Sequence, residues 1–286
     1  MQTITRAIRK NGIEIATEAF GDPAHAPVLL RMGGMASMLW WPDEFCRQLS
    51  ARARFVIRYD QRDSGLSTKY PPGQPGYGFD DAVDDAFLVL DGYSITAAHV
   101  VGFSQGGMVG QGAALKHPQR MLSLTTISTS PIGVDRSSLP ESGKAWLEHM
   151  ALDVDWSDRA ETVAYLVEDA RLTAGTAYKF DEARTRAFIE RDFDRSGGYA
   201  SGNNHSVLFE IGEAWQGRLS ELRVPLLVIH GTADPIFPIE HGMAICEAVP
   251  GARLLRLEDG GHELHPGHWD QIVEAIAEHT KMDRER

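Results

Sequence analysis

The sequence predicts an α/β fold: a mostly parallel, eight-stranded sheet flanked by helices, with a helical cap inserted after the sixth strand. Three observations carry that expectation. Short apolar runs alternate with stretches of helical periodicity from Pro27 to Ser128, and again from Pro225 to Thr280. This is the pattern of parallel strands covered on both faces. Between those blocks, from Pro131 to about Gly212, the chain is charged and mostly helical, with no convincing buried strand. Finally, the strand His99-Val100-Val101 runs directly into Gly102-Phe103-Ser104-Gln105-Gly106. There, small residues let a strand turn sharply into a helix and lift a serine out of the sheet.

Taken in order, Ile4 to Lys10, the turn Asn11-Gly12 and Ile13 to Phe20 read as a hairpin, which Gly21-Asp22-Pro23 ends. Pro27 to Met32 is a strand followed by Gly33-Gly34, and Ser37 to Ser50 is helix-like. Phe55 to Asp60 is the next strand. Asp80 to Gly92 carries Val83, Phe87, Leu88 and Leu90 at helical spacing. Ala98 to Phe103, Met108 to Lys116 and Leu122 to Ser128 repeat strand, helix, strand. In the middle region Trp146, Leu147, Met150, Leu152, Val163, Leu166, Val167, Phe188 and Ile189 can pack several short helices, while Gly197 to Asn204 reads as a loop. Pro225 to His230 and Arg253 to Glu258 are the last strands, followed by helices at Ile239 to Val249 and near Trp269 to Thr280. The expected organisation is a core of residues 1–130 and 213–286 interrupted by a cap, 131–212. A decorative surface domain would also fit, but insertion directly after the sixth strand favours a lid over the site.

The composition, 43% hydrophobic over 286 residues, allows one large core or two modest ones. Lys plus Arg is 28 against 40 for Asp plus Glu, a formal charge of −12 that disfavours nucleic acid and anionic membranes as partners. Cys46 and Cys246 lie far apart, each in a predicted amphipathic helix, and read as two reduced thiols of a cytoplasmic protein. Met1 to Gly12 lacks the apolar core of a signal peptide, and no run approaches membrane-spanning length. Oligomeric state has no readable signature.

A serine hydroxyl becomes a useful nucleophile only when a base takes its proton and an acid orients that base. Asp234 follows the strand ending at His230, and His262 lies in the Gly-rich loop past the strand ending at Glu258. Ser104, Asp234 and His262 thus all fall at carboxyl ends of strands, where open α/β sheets assemble their sites. Each has a plainer reading. Asp234 before Pro235 can simply start a turn, and a histidine beside glycines can be a surface loop residue. His265 and His268 flank the last helix, and His230 fits a structural hydrogen bond. His262-Glu263-Leu264-His265 is one residue short of the His-Glu-x-x-His spacing, so no metal is expected. Neither a complete Gly-x-Gly-x-x-Gly nor a phosphate-loop lysine is present, so no cofactor is expected. The amides of Gly34 and Gln105 are candidate oxyanion donors, with Gly102 and Gly106 shaping the elbow.

Over essentially its whole length the chain resembles the α/β-hydrolase superfamily, and within it the aclacinomycin methylesterase group of bacterial serine esterases. The residues that carry the resemblance are Met32-Gly33-Gly34, Trp41-Pro42-Asp43-Glu44-Phe45, Arg58 to Ser67, the Ser104 elbow, Asp234-Pro235 and Gly260-Gly261-His262. The resemblance implies a Ser104–His262–Asp234 triad, an oxyanion hole from Gly34 and Gln105, and a helical cap. The usual His-Gly before the oxyanion glycine is Met32-Gly33 here, which leaves the amide donor in place. The Asp60-x-Arg62-x-x-Gly65-x-Ser67 pattern reads as a turn held by an Arg–Asp pair. The function these readings imply is cofactor-free hydrolysis of a small-molecule carboxylic ester, of methyl-ester type, with activity falling as the catalytic histidine is protonated. Carbon–carbon bond hydrolysis, lactone opening, perhydrolysis and a non-catalytic ligand receptor use the same framework. Trp40, Trp41, Tyr199, Asn203, Asn204 and His205 are the candidate substrate-lining residues.

Overall fold

A computed structural model describes residues 3–281; residues 1–2 and 282–286, at the outer limits of the expected core, lie outside the described residues. Strands β1 (Ile4–Lys10) and β2 (Ile13–Phe20) form the expected hairpin, paired from Ile4↔Ala19 to Lys10↔Ile13. There follow β3 (Ala26–Arg31), α1 (Asp43–Ser50), β4 (Arg54–Tyr59), α2 (Phe79–Gly92), β5 (Ala98–Phe103), α3 (Gln105–Lys116) and β6 (Met121–Ile127). Helices α4 (Lys144–Met150), α5 (Arg159–Thr173) and α6 (Glu182–Ser196) separate β6 from β7 (Leu226–Gly231). The chain closes with α7 (Ile239–Ala248), β8 (Arg253–Leu257) and α8 (Trp269–His279). The sheet has eight strands in the order β1-β2-β4-β3-β5-β6-β7-β8. Among the described residues, the β1–β2 and β2–β4 pairs are antiparallel and the others are parallel.

Every residue of β4, β5 and β7 is buried, as strands covered on both faces require. On one face Val83, Ala86 and Leu90 of α2 and Met108, Val109 and Ala113 of α3 pack against Leu29, Ile57 and Val100. On the other, Phe45 and Leu49 of α1 and Ile272, Val273 and Ile276 of α8 cover Val28, Val56 and Val101. The segment between β6 and β7 has its own small cluster of Val163, Leu166, Val167, Ile189 and Tyr199, against which Met35 and Trp40 pack.

Three local expectations are corrected. The helix expected over 37–50 is split into a short 3-10 turn, Met38–Trp40, and α1, because Pro42 holds its own residue extended at the α1 N-cap. Helix α3 starts at Gln105, not Met108: Gly106 and Gly107 are weak helix formers, but close tertiary packing keeps them helical. The loop expected over 197–204 is shorter, because Ala200–Phe209 forms a 3-10 helix. Its regularity comes from tertiary bonds through Asn204 and His205, which local sequence does not report.

The turn after β4 also pairs differently. Arg62 forms a two-pronged ion pair with Asp85 of α2, at 2.8 and 2.7 Å, and does not bind Asp60. Asp60 is fully buried and accepts the amides of Met38 (2.7 Å) and Leu66 (2.9 Å). Its cation is Arg195, from the last turn of α6, 2.7 Å from Oδ2. A buried carboxylate needs a counter-charge, and here the inserted segment supplies it. Replacing Arg195 by leucine would strand that charge. We expect Arg195→Leu to lower unfolding free energy by about 3–5 kcal/mol, read from the urea midpoint at constant m. A loss within about 0.5 kcal/mol of zero would show that the pair is not a structural tie.

Candidate active site

The elbow is built from backbone contacts. A Cβ at Gly106 would lie 2.4 Å from the Arg31 carbonyl oxygen, and one at Gly102 would lie 2.2 Å from that of Gly106. No other residue type fits such distances without moving the backbone. Ser104 between them has φ 53° and ψ −124°, a conformation L residues rarely adopt and one characteristic of a strained strand-to-helix turn. Its amide donates to the Ile127 carbonyl of β6 at 2.8 Å, and its carbonyl accepts Thr129 Oγ1 at 2.6 Å. These bonds hold the serine where α3 begins.

Asp234 and His262 come together on the loops after β7 and β8. The loops are laced by Thr232 N to Leu257 O (3.0 Å), Ala233 N to Gly260 O (2.9 Å) and Asp259 N to Thr232 Oγ1 (2.8 Å). His262 Nδ1 lies 2.8 Å from Asp234 Oδ2, while Oδ1 accepts the amides of Ile236 and Phe237, both at 2.9 Å. Burial opposes the Asp234 charge, but attraction to His262, their hydrogen bond and nearby His230 outweigh it and hold the carboxyl below the usual carboxylate range. An ionised Asp234 only accepts, so Nδ1 of His262 donates and Nε2 is left as the basic nitrogen. The imidazole is wedged edge-on between the rings of Phe103 (5.1 Å), the residue before Ser104, and Phe237 (5.7 Å). Its backbone amide donates to the Thr173 carbonyl at the end of α5, at 2.8 Å. A Cβ on the preceding Gly261 would lie 2.3 Å from that same oxygen.

The neighbouring histidines are differently engaged. His230 Nε2 donates to the Phe237 carbonyl at 2.7 Å. His265 stacks on Tyr178 at 4.3 Å, and His268 meets the same ring edge-on at 5.1 Å. As the first residue of α3, Gln105 has no intrahelical acceptor for its amide. Gly34 lies across from it, in the turn after β3. A Cβ on Gly34 would sit 3.5 Å from the Gln105 side-chain oxygen, and one on Gly33 would sit 3.5 Å from Ser104 Oγ. The two candidate oxyanion donors therefore come from separate elements, with Gly33 against Ser104 and Gly34 against the Gln105 side chain.

The expected substrate-lining residues divide by burial and by their hydrogen-bond partners. Trp41 is wholly buried, against Phe45 (5.5 Å) and Phe103 (6.5 Å), beneath α1 and α8. Tyr199 is buried and donates its hydroxyl to Asp192 at 2.5 Å. Asn204 is buried and bonds Asp63 (3.0 Å), Pro71 O (3.1 Å) and Gly73 N (2.7 Å). His205 is buried between Met35 N (2.7 Å) and Arg62 O (2.6 Å). These four make packing and tethering contacts within the fold. Trp40 and Asn203 stay half-buried. Trp40 lies edge-on to Phe188 and donates Nε1 to Asp192 at 3.0 Å.

Residues not singled out from sequence matter as much. Asp192 is fully buried and gathers Ser37, Trp40 and Tyr199. Its spacing with Ile189 and Ser196 along α6 marks a polar position on a buried face, a signal present in the sequence. Asp169 of α5 receives Trp146 Nε1 at 3.0 Å, and burial raises its pKa against the pull of that bond, His149 and His262. Nothing local distinguishes it from a surface carboxylate.

Comparison with known proteins gives a consistent answer. The family described as the alpha/beta hydrolase fold matches residues 26–268. The chain is 34% identical to rhodomycin D methylesterase DauP of Streptomyces sp. strain C5, covering 97% of this chain and 98% of that protein. It is also 34% identical to rhodomycin D methylesterase DnrP of Streptomyces peucetius, with the same coverage. Among solved structures, the enol-lactonase from Burkholderia xenovorans LB400 superposes with a TM-score of 0.75 at 22% identity, covering 96% of this chain and 99% of that one.

Burial has a measurable consequence at His205, whose pKa is pushed down to about 4. An unfolded histidine titrates near 6.5, so this group's stabilisation is complete above about pH 6.5 and is lost as pH falls toward 4. Between pH 7 and pH 5 the wild type should lose on the order of 2 kcal/mol more unfolding free energy than His205→Asn, measured by urea titration. Parallel losses would show that His205 does not resist protonation.

Proposed function

The chain belongs to the α/β-hydrolase fold family, and we propose that within it this protein is a serine esterase that cleaves methyl-type esters of small-molecule carboxylic acids. The observation that carries this reading is the hydrogen-bonded Asp234–His262 pair, set on the loops after β7 and β8, with the left-handed Ser104 elbow after β5. The near-full-length similarity to the two methylesterases supports the choice of ester.

In this mechanism His262 Nε2 takes the Ser104 proton as Oγ attacks the ester carbonyl. The tetrahedral oxyanion is held by the amides of Gly34 and Gln105, and the N-terminus of α3 favours its negative charge. Collapse forms an acyl-Ser104 ester and expels the alkoxide, which leaves as the alcohol with the proton from His262. Water, deprotonated by His262, then attacks the acyl carbon. The acid departs and Ser104 regains its proton. Asp234 remains ionised throughout, fixing the imidazole tautomer and stabilising its charged form. No cofactor or metal enters. Residues 131–212 serve as a cap: the end of α5 receives the His262 amide, and Glu263 accepts the Gly175 amide at 2.9 Å. Trp40 and Asn203, half-buried, remain candidates for substrate contact.

Hydrolysis of a graded panel of methyl and longer alkyl esters tests the reading. We expect Ser104→Ala to lose about 10⁴-fold or more of wild-type kcat, and Asp234→Asn about 10⁴-fold, with folding retained. Rapid mixing should give a burst of alcohol when deacylation is slow. Retention of wild-type turnover by Ser104→Ala would overturn the assignment.

A further inference from the structure

We propose that His205, contributed by the segment between β6 and β7, is a positioning residue that sets the oxyanion loop; this rests on the serine-esterase reading above. Three hydrogen bonds converge on it. The Met35 amide donates to Nδ1 at 2.7 Å, Nε2 donates to the Arg62 carbonyl at 2.6 Å, and the His205 carbonyl accepts Gln105 Nε2 at 2.9 Å. An amide only donates and a carbonyl only accepts, so these partners select the neutral imidazole with its proton on Nε2.

The geometry places this residue behind both oxyanion donors. Met35 has φ +61°, a left-handed conformation that a side chain disfavours and that persists only when its surroundings hold it. The bond to Met35 N fixes the Gly34–Met35 peptide plane, which meets at the Gly34 Cα the Gly33–Gly34 plane that carries the donor amide; the carbonyl of that second plane is held by Gln61 Nε2, so the two bonds together restrain the Gly34 amide. The bond to the His205 carbonyl ties down the side chain of Gln105, whose own amide is the other donor. A Cβ on Gly34 would meet that tethered side chain at 3.5–3.7 Å, so the two donors are packed against each other through it. Burial keeps His205 neutral well below pH 7, which leaves Nδ1 free to accept. His205 touches no substrate in this scheme. Its contribution is to arrange the donors before charge develops on the substrate oxygen, when rearrangement would otherwise add to the barrier.

The test compares wild type, His205→Leu, His205→Asn, Gln105→Met and Ser104→Ala on one ester, with active sites titrated and folding followed by circular dichroism. A boronic acid that forms a tetrahedral adduct provides an independent readout. We expect His205→Leu to lower kcat per titrated site about 10–100-fold, to leave KM within about threefold, and to weaken boronate binding by a similar factor to kcat. Asparagine can return an acceptor near the Nδ1 position, so His205→Asn should recover most of kcat. Gln105→Met keeps the backbone amide but cuts the bond to the His205 carbonyl. It should lower kcat about 3–10-fold, and it carries the test if His205→Leu does not fold. Unchanged kcat in the folded variants, an effect confined to KM, or no recovery by asparagine would each overturn the proposal. Full turnover by Ser104→Ala would reject the serine reading and the proposal with it, whereas lost turnover in Ser104→Ala beside unchanged kcat in the folded His205 and Gln105 variants would overturn the proposal alone.

Discussion

The close approach of three backbones at the elbow is the constraint on which the rest of this structure depends. Strands β3 and β5 pair in parallel with Arg31 opposite Gly102, so both end at the same level. Helix α3 then starts almost in contact with the end of β3, because Gly106 offers only hydrogens to the Arg31 and Met32 carbonyls. That proximity brings the turn after β3 beside the first amide of α3, with Ser104 between them. The positive φ of Ser104 is a local cost, offset by the strand bonds before it and the helix after it.

Around that fixed centre, the inserted segment is held both by apolar burial, with Ile132 and Leu208 in the main core cluster, and by buried polar and charged contacts. Its own cluster contains five buried apolar residues, far fewer than either face of the sheet. Two buried carboxylates do the joining. Asp60 of the core receives Arg195 from α6, and Asp192 of α6 receives Ser37 and Trp40 from the core. Removing either partner of such a contact leaves an uncompensated charge or donor, so these ties specify one docking geometry more strictly than apolar contact would. His205 and Asn204 add polar tethers to the 33–35 and 63–73 loops. The same segment therefore reaches the turn after β3 at one end and the His262 backbone at the other.

The hydrogen-bonded Asp234–His262 pair is also embedded in a network. Asp234 uses one oxygen to hold its own loop and the other to orient His262, so loop order and imidazole orientation are coupled. Phe103 and Phe237 clamp the ring from two sides. A histidine held in this way keeps a single tautomer without paying orientational entropy at each turnover.

The sheet, most of its helices and the strand ends that carry Ser104, Asp234 and His262 were legible in the amino-acid sequence. Strand and helix periodicity, Asn11-Gly12 and the glycines around Ser104 are legible over a few neighbouring residues, even where, as at Gly106, the contact they permit is with a distant strand. The order Ser104, Asp234, His262 at strand ends was legible because a parallel sheet places all such ends along one edge. The partners of buried polar groups emerge only from the packed chain: Asp60 with Arg195 in place of Arg62, Trp41 in the core, and His205 against the turn after β3. Arg195 is 135 residues from Asp60, and His205 is 170 from Met35. A long charged or aromatic side chain looks the same in sequence whether it faces solvent, substrate or a buried counterpart, and only the packing of distant segments selects among them.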